Sequence, residues 1–303
     1  SGDWSSDVCS SDLLAIADRY TVLRDGETAA SGDVAGTSVD ALVEKMAGRK
    51  GSDVFPARTH VPATEVALAL EGVGGEARPR EASVTLHRGE ILGVFGLVGS
   101  GRTELLRAVF GLDRVKRGTV RVGAHVGPAS PAARLAQGVG LLSEDRAGEG
   151  VALALSVAAN VTMSAIDKLL RFGLVSPRAE QREAARWIGE LGIKCAGPEA
   201  EMSSLSGGNQ QKAALGRLLC RDVDVFLLDE PTRGVDVTSK AQIYRLLFEL
   251  AAKGKAILLV SSYLPELLGV CDRIAVMARG ALGPARGANE RTEEELLREA
   301  IGA

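Results

Sequence analysis

Apolar residues in this chain gather in short unbroken runs, separated by stretches with helical periodicity. The strand-like runs at residues 91–95, 119–122, 139–142, 225–228, 256–261 and 274–277 are for the most part continuous rather than alternating. Continuous apolar runs of this length predict strands covered on both faces, hence a largely parallel sheet flanked by helices. Between Ser143 and Asp222 the strand signal fades and helical patterns take over, which predicts a separate helical lobe.

The start of the chain follows other rules. Residues 1–12 (SGDWSSDVCSSD) lack periodicity and the basic start and greasy centre of a signal peptide, and they read as a disordered, non-native leader. Residues 20–23 read as a strand, Arg24-Asp25-Gly26 as a hairpin turn, and 39–46 as a helix ending at Gly48. The same plan returns near the other end: Cys271-Asp272-Arg273, a strand, Arg279-Gly280, then a helix over 293–300. A short element occurring twice in this way is an internal repeat. Residues 49–64 are polar, hold two prolines and read as a linker.

Composition narrows the chemistry. With 303 residues, 46% hydrophobic and 25% charged, the chain has material for at least one full core. A net charge of -3 gives no global attraction to nucleic acid, and nucleic acid is not among the expected partners. Cys9, Cys195, Cys220 and Cys271 lack paired spacing, and His60, His87 and His125 lack a metal-ligand pattern. The longest apolar runs are too short to span a bilayer.

Three motifs carry the chemistry. Gly96-Leu97-Val98-Gly99-Ser100-Gly101-Arg102-Thr103 follows a strand and opens a helix, the setting of a phosphate loop. Its glycines let backbone N–H groups curl around phosphate oxygens, and Thr103 is placed to give a hydroxyl to Mg²⁺. Arg102 stands where the consensus has lysine, a planar fork in place of a compact point charge. In 225–232 (VFLLDEPT), a buried strand delivers Asp229 beside that loop as a second Mg²⁺ group, and Glu230 to where a carboxylate polarises an attacking water. In 205–212 (LSGGNQQK), Leu205 precedes Ser206, a natural N-cap, and Gly207 and Gly208 expose N–H groups at a helix start; Gln210 lies in the same octet.

The ordered set GLVGSGRT, SEDR (143–146), LSGGNQQK and LLDEPTRGVD resembles an ATP-binding-cassette domain. More narrowly, the wording resembles the second cassette of the tandem-cassette ATPases that energise bacterial monosaccharide importers of the ribose, xylose and galactose kind. The likeness implies an α/β fold: a P-loop NTPase core with a mostly parallel central sheet, an antiparallel β subdomain, and a helical subdomain over about 144–221. It divides the chain into the leader (1–12), a C-terminal remnant of a first cassette (13–50), a linker (51–65) and a second cassette (66–303), making the chain a truncated product.

The same likeness assigns roles. ATP and Mg²⁺ are the implied cofactors, with Gly96, Gly99, Ser100, Gly101, Arg102 and Thr103 on the phosphates and Thr103, Glu144 and Asp229 near the metal. Glu230 is the implied catalytic carboxylate, and Ser262 stands where a histidine usually meets the γ-phosphate. Leu205, Ser206, Gly207, Gly208 and Gln210 would meet the ATP of a partner cassette, and Asp236 would lie in the loop joining the two sites. Implied partners are a second cassette from the same or a sister chain, membrane permease subunits touched by the segment from Asp145 through the helical lobe, and indirectly a periplasmic sugar-binding protein. That places the chain peripherally on the cytoplasmic face of the plasma membrane. Arg102, Glu144 in place of glutamine, Ser262, and the lack of an aromatic residue over 71–81 depart from an active cassette. They imply weak binding and slow turnover. Nucleoside or autoinducer import, and ATP held structurally without turnover, remain alternatives.

Overall fold

The computed structural model describes residues 16–24, 27–37, 41–42, 55, 58, 60–171 and 173–302. The chain divides into two compact units, one holding the residues up to 57 with Asp236–Tyr244, the other Arg58–Val235 with Arg245–Ala303.

In the first unit, β1 (Arg19–Arg24) pairs antiparallel with β2 (Glu27–Asp33), with a bulge between Val22 and Leu23. Thr21 and Ser31 meet across the pair, hydroxyl to hydroxyl at 3.2 Å. Tyr20 crosses Gly32 so closely that a Cβ there would lie 2.9 Å from the phenol oxygen, so the ring packs directly over the glycine. The Phe55 ring stacks on Tyr244 at 5.3 Å between centroids. The expected leader, the turn residues Asp25 and Gly26 and most of the helix expected over 39–46 lie outside the described residues.

From there the chain runs β3 (Val66–Gly74), β4 (Ala82–His87), β5 (Ile91–Gly96), α1 (Arg102–Phe110), β6 (Arg117–Val122), β7 (His125–Val126), α2 (Pro131–Ala136) and β8 (Val139–Leu142). The helical stretch holds α3 (Val157–Thr162), α4 (Ile166–Leu169), β9 (Leu170–Arg171), β10 (Leu174–Val175), α5 (Pro177–Leu191) and α6 (Gly207–Arg221). Then come β11 (Val225–Asp229), α7 (Val237–Ala252), β12 (Ala256–Ser261), α8 (Leu264–Val270), β13 (Arg273–Ala278), β14 (Ala281–Leu282), β15 (Arg286–Gly287) and α9 (Glu293–Ile301).

The second unit is built on a seven-stranded sheet in the order β14-β13-β5-β12-β11-β8, with β15 also on β13. Its five central strands are parallel: Leu228 lies opposite Leu142 on one side and Leu259 on the other. Every residue of β5, β11 and β12 is buried, which is why their sequences are unbroken apolar runs. One expected strand belongs elsewhere. Residues 119–122 fall in β6, which pairs antiparallel with β3 in a separate four-stranded sheet, β4-β3-β6-β7. There only Val120 and Val122 are buried, because one face alone meets the core. The helical lobe is present, with α3, α5 and α6 packed on one another, but it also contains the small β9–β10 hairpin.

Both sheets share one core, in which Leu68, Leu86, Leu92, Leu106, Val120, Leu227 and Leu258 are buried together. Arg134 of α2 is buried in this body at 1% exposure. Its guanidinium donates to the Val109 and Gly127 carbonyls at 3.0 and 2.7 Å and to Gln137 Oε1 at 2.8 Å. The cation thus ties the last turn of α1 to the chain that follows it.

Candidate functional site

The site forms where β5 and β11 end side by side across β12. After β5 the chain turns tightly, with the Ser100 N–H donating to the Leu97 carbonyl at 2.9 Å. Gly99 and Gly101 adopt φ of 75° and 111°, a region that glycine enters without strain. At Gly96 a Cβ would come within 2.5 Å of both the Met277 carbonyl and Ser100 Oγ, so the loop closes only around glycine. Gly101 is the N-cap of α1 and brings no side chain to the first turn. The helix therefore opens with N–H groups and the positive end of its dipole facing outward.

Three buried polar atoms around this loop have no hydrogen-bond partner: Ser100 Oγ, Arg102 Nη1 and Asp229 Oδ1. Buried polar atoms are almost always paired, so such a gathering marks a place built for a polar ligand. Asp229 closes β11 at 2% exposure. Burial pushes its carboxyl up to about 6, opposed by a hydrogen bond from Thr103 and the nearby Arg102 cation. The Thr103 hydroxyl and Asp229 carboxylate are thus adjacent, a pair suited to a hard cation. Among the described residues no group of three or more His, Cys, Asp or Glu side chains is placed to hold a metal. A cation on Thr103 and Asp229 would complete its oxygen shell from phosphate and water.

Glu230, the next residue, is buried and holds a left-handed backbone at φ 46°. Its Oε1 accepts the Ser262 N–H at 2.7 Å and lies 3.5 Å from Arg102 Nη2. Oε2 is 3.5 Å from the Ser261 hydroxyl. Ser262 thus reaches this carboxylate through its backbone; its side chain is exposed. Arg102 is itself buried, and burial lowers its hold on the proton, with Glu230 and Asp229 opposing that shift.

A cleft of about 720 Å³ is lined by Thr103, Glu144, Glu230, Arg233 and, from α6, Gln210. Glu144 is ion-paired with Arg233, so its carboxylate answers to a cation already present. Leu205 is buried ahead of α6. Ser206 occupies the N-cap position of α6, but its side chain caps nothing; its hydroxyl accepts from Asn209 Nδ2 at 2.8 Å. Asn209 competes successfully for that oxygen, a correction to its expected capping role. Gly207 carries its carbonyl to Arg146 Nη1 at 3.1 Å, and Gly208 is buried in the first turn. The Gln210 amide donates to the Met202 and Leu205 carbonyls, both at 3.1 Å, holding the segment ahead of the helix. Asp236 belongs to the first unit and caps the start of α7, accepting the Ser239 N–H at 3.0 Å.

A family model described as ABC transporter matches residues 79–233, spanning the glycine loop, the LSGG segment and the acids after β11. The chain belongs to the ABC transporter family. A ribose import ATP-binding protein of Rubrobacter xylanophilus is 41% identical over 292 residues, covering 96% of this chain and 56% of that protein. A ribose import ATP-binding protein of Pseudomonas putida is 42% identical over 293 residues, covering 96% and 57%. The chain thus spans little more than half the length of these curated relatives. In fold, the cassette is similar to an inward-facing metal-chelate-type ABC transporter, with a TM-score of 0.65 and 20% identity over 79% of this chain and 90% of that one. It is also similar to a dimeric ATP-binding cassette bound to ADP and phosphate, with a TM-score of 0.64 and 20% identity over 73% and 98%. The fold is that of a P-loop NTPase cassette.

Several residues of the cassette site carried no sequence signal of their own. Thr232 donates to Glu266 Oε1 at 2.7 Å in a buried contact that joins the turn after β11 to α8. Ser261 accepts the Tyr263 N–H while facing Glu230. Arg107 pairs with Asp113 and Glu149, and the Ser143 hydroxyl also donates to Glu149. Only the SEDR wording hinted at the last of these. Among the described residues, no helix is long and apolar enough to cross a membrane.

Proposed function

We propose that this chain binds ATP with Mg²⁺ at the glycine loop and serves as an ATP-driven subunit that energises import of a monosaccharide through a membrane permease. The observation that carries the nucleotide reading is the meeting of Ser100 Oγ, Arg102 Nη1 and Asp229 Oδ1, all buried and unpartnered, at an open helix start. The sugar reading rests on the ribose import relatives and on the same motifs.

In this reading the N–H groups of residues 99–103 and the Arg102 guanidinium bind the β- and γ-phosphates. Thr103 and Asp229 would hold Mg²⁺, which supplies neutralisation of the developing phosphate charge. Glu230 orients a water and accepts its proton as the water oxygen bonds to the γ-phosphorus and the bridging oxygen leaves on ADP. Ser262 fixes Glu230 through its N–H and Ser261 supports the other carboxylate oxygen. Leu205, Ser206, Gly207, Gly208 and Gln210 would face the nucleotide of a second cassette, with Asp236 between the two sites. Glu144 would reach the metal region only by leaving Arg233. Permease subunits and a periplasmic sugar-binding protein would complete the assembly on the cytoplasmic face of the membrane.

The test is Mg-ATP binding and steady-state hydrolysis by the purified chain, with Glu230→Gln as control. Binding together with turnover that the control abolishes is the expected result. Binding without turnover would favour a cassette that holds ATP for a partner's benefit, and no binding would remove the nucleotide reading.

A further inference from the structure

Glu230 is held from the side of α8. The Ser262 N–H, just ahead of that helix, donates to Glu230 Oε1, and Glu266 within it accepts the Thr232 hydroxyl. The helix lies directly on β5, with Leu267 Cδ2 and Cys271 Sγ only 3.1 and 2.8 Å from where a Cβ on Gly93 would stand. Its far end is fixed by a segment that precedes the cassette sheets.

Arg58 and His60 fall in the stretch that reads as a linker, ahead of the residues 79–233 that the family model matches. The exposed Arg58 donates through Nη2 to the Leu268 carbonyl at 2.8 Å. Leu268 belongs to the last turn of α8, where carbonyls lack partners within the helix and a cation is favoured. His60 is the opposite case, a side chain with no exposure at all. Its Nε2–H donates to Asp272 Oδ2 at 3.0 Å, an oxygen that also accepts the Ile91 N–H at 2.8 Å where β5 begins. The ring lies 5.6 Å from that of Phe248 in α7, and its Nδ1 is buried without a hydrogen bond, so Asp272 is its polar hold. Further on, the Ala63 N–H donates to the Arg88 carbonyl at 2.8 Å and the Arg88 N–H to the Glu65 carbonyl at 2.9 Å. Residues 61–65 are themselves exposed. Burying a polar ring is costly, so His60 in such a stretch marks a point of attachment.

We propose that residues 58–65 are a strap that seats α8, with Arg58 and His60 as positioning residues for Glu230. This rests on the nucleotide reading of the glycine loop given above. Arg58 holds the last turn of α8, and His60 ties Asp272, two residues past the helix, to the start of β5. The helix carries that placement to Ser262 and Glu266, and so to the turn that bears the acid. Coupling of this kind runs through packed elements and is shown by disturbing one end and reading the other.

The experiment is hydrogen-exchange mass spectrometry of the full chain, together with Mg-ATP binding and steady-state turnover. The variants are His60→Ala and His60→Gln, whose side-chain amide nitrogen can replace the imidazole Nε2. In His60→Ala, the amides of 58–65 and those from Ser262 through Val270 should exchange faster, with β11 and β12 unchanged. Turnover (kcat) should fall roughly three- to tenfold with Mg-ATP affinity unchanged, and His60→Gln should restore both readouts. Faster exchange confined to 58–65 would overturn the proposal, as would a loosened α8 with kcat intact. If His60→Ala does not fold, Arg58→Ala at its exposed position carries the same test, with Arg58→Lys as the restoring variant. Wild-type protein that binds no Mg-ATP would instead remove the nucleotide reading, and the exchange pattern would still decide the seating of α8.

Discussion

Arg102 Nη2 stands 3.5 Å from Glu230 Oε1, so the cation of the glycine loop and the acid that follows β11 are partners. Both are buried, and a buried carboxylate needs such a neighbour. The relationship also sets a competition, because phosphate binding and Glu230 draw on the same guanidinium. A lysine offers a compact charge with a longer flexible stem and no second nitrogen to leave on the acid. Arg102→Lys is expected to raise steady-state ATP turnover without weakening Mg-ATP binding. A fall in both would show that the fork geometry of arginine is the fitted one.

Asp229 makes the site pH-dependent. Its carboxyl titrates at about 6 against an ordinary 3.8, because burial favours the neutral form. The folded chain therefore holds a proton that the unfolded chain releases. The stability this contributes is complete below about pH 4 and is lost as pH rises through 6. Ligand-free protein should lose roughly 2–3 kcal/mol across that window, and Asp229→Asn should flatten the loss in urea melts taken from pH 4 to 8. Mg-ATP binding runs the other way, since the cation needs the ionised form, and should weaken below pH 6 in wild type only.

The Thr232–Glu266 contact is a lock between the acid-bearing turn and α8. Thr232→Val keeps the shape and removes the donor, leaving a buried carboxylate short of one bond. A cost of about 1–3 kcal/mol follows, seen as a melting temperature lower by about 2–4 °C per kcal/mol. An unchanged melting temperature would show that the remaining contacts of Glu266 suffice.

Arg134 is a buried cation held by two carbonyls and an amide oxygen rather than by an acid. Arg134→Met fills the space but orphans these acceptors, including one in the last turn of α1. The loss should be about 3 kcal/mol in chemical denaturation.

The parallel sheet was legible because strands buried on both faces must be apolar throughout, as in β5, β11 and β12. β6 falls outside that sheet, and its segment Thr119-Val120-Arg121-Val122 already carries the alternation of a strand with one face on the core. The glycine loop and its acids were legible through motif and setting. Arg134 was not, since a lone arginine in a short helix resembles any surface cation until its three acceptors are in place. Ser206 was legible in position but not in bonding, because the decision between backbone and Asn209 is made three residues away.

The left-handed backbone of Glu230, φ 46°, is a posture that glycine would hold at no cost and that a side chain holds at roughly 1–2 kcal/mol. Exchanging this residue for glycine would relax the turn but leave the buried Arg102 cation and the Ser262 N–H without their acceptor, a loss larger than the strain relieved. The bent backbone is thus carried by the very contacts that aim the acid.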